Sequence, residues 1–185
     1  MGTLVFVRKA ALAVALATLV ALAPAPASAH IARGRYAIGD SVMLGAKPQL
    51  RARGFVVNAT ESRQFSEAVT IVRRKAASGV LRRKVVIHLG TNGILIQASQ
   101  CDAIARAAGK RRHVFLVTVT GPTSMPRIRK AQNIRLHACA ARHRNTSVID
   151  WYRRSRGHGA WFYDGMHLTP KGRVAYATFL DRKTS

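Results

Sequence analysis

Four polar residues of the sequence could together cleave or transfer an acyl ester. Ser41 follows a short apolar run that ends at Gly39, but a serine hydroxyl is a weak nucleophile until a base removes its proton. Asp164 and His167 lie three residues apart, so one turn can hold the carboxylate against one ring nitrogen and leave the other nitrogen free. Asn92 offers a side-chain amide that could donate to a developing oxyanion. These residue types predict a serine esterase or acyltransferase.

Each of these residues also has a simpler structural interpretation. Ser41, with Asp40 before it, could cap a helix or a turn. Asn92 could form a turn within its Gly-Thr-Asn-Gly stretch. Asp164 and His167 could make only a local salt bridge. The joint placement of these residues after the first strand, after the third strand and before the last helix favours the catalytic interpretation.

Apolar runs and their periodicity predict strands that alternate with helices along the chain. The predicted strands are 35–39, 55–57, 84–89, 113–118 and 147–149. The predicted helices are 48–53, 61–78, 99–108, 128–143 and 170–180. This alternation predicts an α/β fold with a parallel sheet that helices cover on both faces. The functional site of such a sheet lies beyond the carboxyl ends of its strands. Residues 151–169 form the longest connection without a predicted element.

Residues 1–29 resemble an export signal. Arg8 and Lys9 precede an apolar, Ala-rich run over 10–23, and Ala27-Ser28-Ala29 fits a small-residue cleavage site. An uncleaved membrane anchor is the alternative, although the run is short for a span. We therefore expect a signal peptide over 1–29 and one domain over 30–185, exported to the periplasm or the extracellular space.

The chain is strongly basic. Its formal charge of +24 falls to about +22 when Arg8 and Lys9 leave with the signal peptide. Such a surface attracts polyanions, and anionic envelope polymers are plausible partners of an exported protein. Nucleic acid is an unlikely partner because no nucleic-acid-binding motif accompanies the charge. A solvated basic surface is the simpler interpretation. The basic pairs are scattered along the sequence at 73–74, 82–83, 111–112 and 153–154.

The two cysteines, Cys101 and Cys139, leave the question of a disulfide open. Export permits the bond. However, the predicted helices place the two residues about ten positions apart along parallel axes, or ~15 Å, whereas a disulfide needs Cα atoms within ~7 Å. The helix placement thus favours two buried, unbonded cysteines, whereas the compartment favours the bond. Neither the cysteines nor the histidines show metal-ligand spacing, and we predict no metal and no cofactor.

Three short blocks resemble the consensus of the SGNH hydrolases, also called GDSL-like esterases. They are "GDSVMLG" at 39–45, "HLGTNG" at 88–93 and "DGMHLTPKG" at 164–172, in the order of that family. More narrowly, "RQFSEAV" and "VIHLGTNG" resemble the soluble SGNH domain of acyltransferase-3 type envelope acyltransferases. The resemblance implies a three-layer α/β/α sandwich whose five-stranded parallel sheet has the flavodoxin-like order 2-1-3-4-5. It also implies a small acyl ester as substrate, such as an acetyl group on an envelope glycan.

The resemblance also implies a role for individual residues. Ser41 would be the nucleophile and, through its N–H, one oxyanion donor, with Asn92 as another. His167 would be the general base, and Asp164 would hold its tautomer. Substrate binding is expected at the same edge of the sheet from a set of four residues: Asp40, Arg63, Gly90 and Thr91.

The chain departs from the family in its second block. The family has a glycine there, which gives a third oxyanion N–H, whereas Ser62 stands at about that place in this chain. A serine resists the positive φ that glycine permits. An alternative function is therefore a catalytically weak or inactive SGNH-fold module that binds anionic cell-envelope polymers.

Overall fold

A sheet of five parallel strands lies at the centre of the protein. The structure is a computed structural model and describes residues 1–2, 34–122 and 124–185. The strand order β2-β1-β3-β4-β5 confirms the predicted fold class and topology. The strands are β1 (Arg35–Gly39), β2 (Phe55–Ala59), β3 (Lys84–His88), β4 (His113–Val117) and β5 (Thr146–Ile149).

Helices cover both faces of this sheet. In chain order they are α1 (Ser41–Gly45), α2 (Lys47–Arg51), α3 (Phe65–Ala77), α4 (Ala98–Ala108), α5 (Pro126–Arg142), α6 (Trp151–Ser155) and α7 (Pro170–Thr184), with a 3-10 turn at Gly159–Trp161. Successive strand residues point to opposite faces. Tyr36 and Ile38 therefore pack in the core under α3, α4 and α5. Ala37 packs in the second core, under α1, α2, α6 and α7.

Two five-residue helices were not predicted. α1 begins at Ser41 itself, where the sequence indicated no helix before Pro48, and α6 lies within the connection 151–169. Helices of this length have fewer than two turns and show no apolar period. Each is capped by the acid that precedes it. Asp40 accepts from the N–H of Val42 at 3.1 Å, and Asp150 accepts from that of Arg153 at 3.0 Å.

Cys101 and Cys139 form a disulfide with their Cα atoms 5.9 Å apart, so the expectation of unbonded cysteines is wrong. That expectation assumed that α4 and α5 begin at the same level. Instead, the chain before α4 runs along the first half of α5. There Gln132 bonds the carbonyl of Ile94 and the N–H of Ile96, at 2.8 and 3.0 Å. α4 therefore begins further along the axis, level with the second half of α5.

The predicted signal peptide falls almost wholly outside the described residues, and so does the question of a membrane anchor. Within the described ranges, no helix has the length and apolar character needed to cross a membrane.

Candidate active site

Ser41 and His167 meet at the carboxyl edge of the sheet. Ser41 directly follows the Asp40 cap at the end of β1 and is the first residue of α1. Its Oγ lies 3.1 Å from Nε2 of His167, which comes from the loop before α7. This is hydrogen-bond distance between a hydroxyl and a nitrogen that could take its proton. The residues are 126 positions apart in the chain, and the fold alone brings them together.

Asp164 completes a chain of three side chains. Its Oδ2 lies 2.6 Å from Nδ1 of His167, and its Oδ1 accepts the backbone N–H groups of Met166 and His167 at 2.9 and 2.7 Å. Because a carboxylate only accepts, Nδ1 carries the proton and Nε2 is left to accept from Ser41. Partial desolvation raises the pKa of Asp164, but the hydrogen bonds from His167 and Met166 outweigh it and lower this pKa to about 2.

The loop that carries these two residues is fixed at both ends. The N–H of Tyr163 donates to the carbonyl of His167 at 2.9 Å, and Phe162 pairs with Leu168. The Thr169 hydroxyl donates to the carbonyl of Ala160 at 2.8 Å. The side chains inside the loop remain open to solvent, with relative exposures of 42% for His167 and 49% for Asp164. Both side chains are therefore accessible to solvent.

Ser62 and Asn92 lie on neighbouring loops of this edge. The amide of Asn92 donates to the carbonyl of Arg63 at 3.1 Å, which ties the loop after β3 to the turn after β2. A primary amide has a second N–H, which stays available. Ser62 has φ +57°, the one positive φ of a non-glycine residue in the described part of the chain. The backbone conformation that we expected a serine to resist is thus adopted.

Arg63 is nearly buried and belongs to the framework of this turn. Its Nη1 donates to the carbonyls of Asn58 and Gly39, at 2.6 and 3.2 Å. Its Nη2 donates to side-chain oxygens of Asn58 and Thr60, at 3.1 and 3.0 Å. These four bonds join the ends of β1 and β2. The structure therefore brings Arg63 to the expected edge of the sheet, but with both terminal nitrogens already bonded within the protein.

The remaining expected substrate contacts join β1 to β3. Asp40 is fully buried, and its Oδ2 accepts a hydrogen bond from the Thr91 hydroxyl. Gly90 has φ +117°, and a Cβ there would come within 3.2 Å of Ile96. These contacts fix the start of α1 relative to the loop that carries Asn92. They place Asp40 behind Ser41 rather than on the open surface.

His88 and Tyr176 form a buried polar pair below the site that the sequence did not predict. Nδ1 of His88 lies 2.8 Å from the hydroxyl of Tyr176, which links β3 to α7. Burial lowers the pKa of His88, and the nearby Asp40 carboxylate only partly offsets this. His88 is thus neutral. His88 is the last residue of β3, and the sequence carried no signal that Tyr176, on a distant helix, is its partner.

In residues 34–122 and 124–185, no group of three or more His, Cys, Asp or Glu side chains is arranged to hold a metal ion. At this edge the chain presents a hydroxyl, an imidazole and a carboxylate in a line, with N–H groups nearby.

No family model matches the chain. It is 32% identical over 147 residues to the peptidoglycan O-acetyltransferase OatA of Listeria monocytogenes, an alignment that covers 78% of this chain and 23% of that protein. The chain thus spans less than a quarter of the length of this relative.

Solved structures share the fold. The C-terminal catalytic domain of OatA from Streptococcus pneumoniae, in a methylsulfonyl adduct, matches with a TM-score of 0.74 and 24% identity, over 83% of this chain and 93% of that one. A GDSL-like lipase from Bacteroides thetaiotaomicron matches with a TM-score of 0.61 and 16% identity, over 80% of this chain and 86% of that one.

Proposed function

Because the chain has the fold of the SGNH (GDSL-like) hydrolases and is a homologue of the matched portion of peptidoglycan O-acetyltransferases, we propose that it is a serine esterase or O-acyltransferase for small acyl esters. The observation that carries the proposal is the line of three groups, Ser41 Oγ to His167 Nε2 at 3.1 Å and His167 Nδ1 to Asp164 Oδ2 at 2.6 Å. The acyl group is acetyl, and its carrier is a glycan of the cell envelope.

The first half-reaction acylates Ser41. Its Oγ attacks the ester carbonyl carbon while Nε2 of His167 takes the hydroxyl proton. The Asp164 carboxylate stabilises the imidazolium that forms. The tetrahedral intermediate then collapses, its bond to the leaving alcohol breaks, and His167 returns the proton to that oxygen. The product is an acyl-Ser41 ester and a free alcohol.

Three N–H groups are candidates to stabilise the oxyanion. They are the backbone N–H of Ser41, the backbone N–H of Ser62 and the second N–H of Asn92. In the described part of the chain neither of these two backbone groups has a hydrogen-bond partner. The positive φ of Ser62 is the conformation that a glycine would supply at this point. This supports a working third donor and weakens the alternative of an inactive binding module.

The second half-reaction decides between hydrolysis and transfer. His167 activates either water or a glycan hydroxyl, which attacks the acyl carbonyl and releases Ser41. The exposure of His167 and Asp164 supports access for a polymer, whether it is the acyl donor or the acyl acceptor. Tyr163, which is 68% exposed beside Asp164, offers an aromatic face on which a sugar ring could lie. We further propose that residues 1–29 direct export, which would bring the enzyme to such glycans.

The test is hydrolysis of p-nitrophenyl acetate by the purified chain, with Ser41→Ala and His167→Ala beside it. Ser66→Ala, an exposed serine on α3, is the matched control. We expect kcat to fall by at least about 1000-fold in both active-site variants and to stay unchanged in the control. Equal rates in folded wild type and Ser41→Ala would overturn the proposal.

A second assay separates hydrolysis from transfer. Oligomers of N-acetylglucosamine are added to the same reaction, and the acetylated oligomer and free acetate are both measured. Acetylated oligomer that depends on Ser41 would assign a transferase. Release of acetate alone, at a rate that the oligomer does not change, would assign an esterase.

A further inference from the structure

A basic groove lies at the edge of the sheet opposite Ser41. It has a volume of about 1060 Å³ and is built from segments 83–84, 105–106, 109–113 and 142–145. These segments are the starts of β3 and β4 and the ends of α4 and α5. Eight of the lining side chains are Arg or Lys, and none of the described residues that line the groove is an Asp or Glu. Basic residues that the sequence scatters are thus gathered by the fold.

Most of this charge is not compensated within the protein. Five of the basic residues in the groove are exposed, and for their side chains no hydrogen bond or ion pair exists with the described residues: Arg83, Arg106, Lys110, Arg111 and Arg144. Among the described residues, the acid that pairs with side chains of the groove is Asp102, which lies 3.1 Å from Arg142 and 2.7 Å from His143.

Capping of helix ends explains only part of the cluster. Cations are favourable near helix C-termini, where carbonyl groups lack partners. Arg112 donates to the carbonyl of Ala108 at 3.0 Å, and Arg142 donates to that of Ala138 at 3.1 Å. The five unpaired side chains make no such bond. No acidic side chain of the described residues pairs with them to offset their mutual repulsion. A bound polyanion would reduce this repulsion.

We propose that the basic groove binds a linear phosphodiester polymer that carries no bases, an alditol- or sugar-phosphate chain of the cell envelope. Six of the eight cations are arginines, whose planar guanidinium groups match phosphate oxygens two at a time. Binding of single-stranded nucleic acid also relies on aromatic rings that stack on bases. The described residues of the groove include no Phe, Tyr or Trp, and its two imidazole rings are already bonded within the protein, His113 to Ser147 at 2.9 Å and His143 to Asp102 at 2.7 Å. This favours a polymer without bases.

The groove and the catalytic edge can act at the same time. They lie at opposite ends of five-residue strands, which separates them by roughly 15 Å. A polymer held in the groove would tether the protein and leave Ser41 free. This proposal does not rest on the esterase activity, because an inactive chain would bind in the same way.

The test compares two triple variants that lose the same charge. One carries Arg106→Gln, Arg111→Gln and Arg144→Gln in the groove. The control carries Arg73→Gln, Arg74→Gln and Arg127→Gln, three exposed arginines outside it. Binding of inorganic polyphosphate, of poly(glycerol phosphate) and of oligo-dT is measured by calorimetry at several salt concentrations, and acetyl-ester hydrolysis is measured in parallel.

We expect the groove variant to raise Kd by about tenfold or more near 0.1 M salt and to reduce the slope of log K against log salt by about 2. The control should change Kd by less than about threefold. Hydrolysis should be unchanged in both variants. Equal weakening of polymer binding in the two variants would overturn the assignment of the groove as the binding site, since binding would then follow net charge alone. Tighter binding of oligo-dT than of both phosphate polymers, lost in the groove variant, would overturn the choice of partner.

Discussion

The carboxylate of Asp164 holds His167 by two atoms at once: Oδ2 lies 2.6 Å from the ring Nδ1, and Oδ1 accepts the backbone N–H of the same residue at 2.7 Å. Both contacts fix the ring with Nε2 towards Ser41. Replacing the carboxylate by an amide would leave the shape but allow the wrong tautomer. We predict that Asp164→Asn lowers kcat for acetyl-ester hydrolysis by about 10⁴-fold while circular dichroism shows that the variant still folds. A folded variant within threefold of wild type would contradict the role of Asp164.

The same contacts predict a dependence of stability on pH. The pKa of Asp164 is about 2 in the folded chain, below its ordinary value of 3.8. Because the folded-state pKa is the lower one, the ionised carboxylate contributes stability above about pH 4, and this contribution disappears as the pH falls through 2. Urea unfolding of wild type and Asp164→Asn should therefore differ at pH 6 and converge towards pH 2. A difference that stays constant over this range would contradict the lowered pKa.

The backbone conformation of Ser62 leads to a third prediction. A side chain at φ +57° is disfavoured, and glycine would remove that cost. We predict that Ser62→Gly keeps full activity and is stabilised by up to about 1 kcal/mol. Ser62→Pro lacks the N–H and also forces φ to about −65°, so it should lose at least about 100-fold in kcat. Circular dichroism would show that both variants fold. A folded proline variant with wild-type kcat would remove Ser62 from the oxyanion site.

Asn92 should act on the transition state more than on substrate binding. An amide that meets only the developing oxyanion raises kcat and leaves KM nearly unchanged. We predict a loss of about 100- to 1000-fold in kcat for Asn92→Ala, measured with p-nitrophenyl acetate. The variant also loses the bond to the carbonyl of Arg63. Thr91→Val, on the same loop, tests loop displacement, because it breaks only the bond to Asp40. An equal kcat loss in Thr91→Val would point to loop displacement instead of a lost donor.

The disulfide should support stability without affecting catalysis. Cys101 and Cys139 join α4 to α5 across a sequence separation of 38 residues, and neither helix carries a residue of the proposed triad. We predict that the double variant Cys101→Ala/Cys139→Ala loses about 2–4 kcal/mol of unfolding free energy in urea. Its kcat at 25 °C should match wild type. Equal stability of the variant and the oxidised wild type would contradict the bond.

Much of the framework could be predicted from the sequence because local patterns determine it. β1 is an apolar run that stops at a glycine, and its predicted bounds are the observed ones. α1 and α6 were missed because five residues carry no helical period. The disulfide was missed because the relative level of two helices depends on how Gln132 holds the loop before α4. No local pattern contains that contact.

Some features of the candidate site could likewise be predicted from the sequence, and others could not. The motifs around Ser41, Asn92 and His167 identified the residues that meet at the edge of the sheet. The four hydrogen bonds of Arg63 could not be predicted, because their acceptors are two backbone carbonyls and two side-chain oxygens that only the pairing of β1 and β2 brings together. The basic groove likewise appears only when separate segments are folded together.

The acyl-enzyme itself is the most direct test. The chain is mixed with p-nitrophenyl acetate, quenched in acid within the first turnovers, digested and analysed by mass spectrometry. We predict one acetyl group on the peptide that contains Ser41, its accumulation in His167→Ala only at a greatly reduced rate, and its absence in Ser41→Ala. Turnover of the ester with no acetyl group on Ser41, or with the acetyl group on another residue whose replacement stops turnover, would contradict the proposed function.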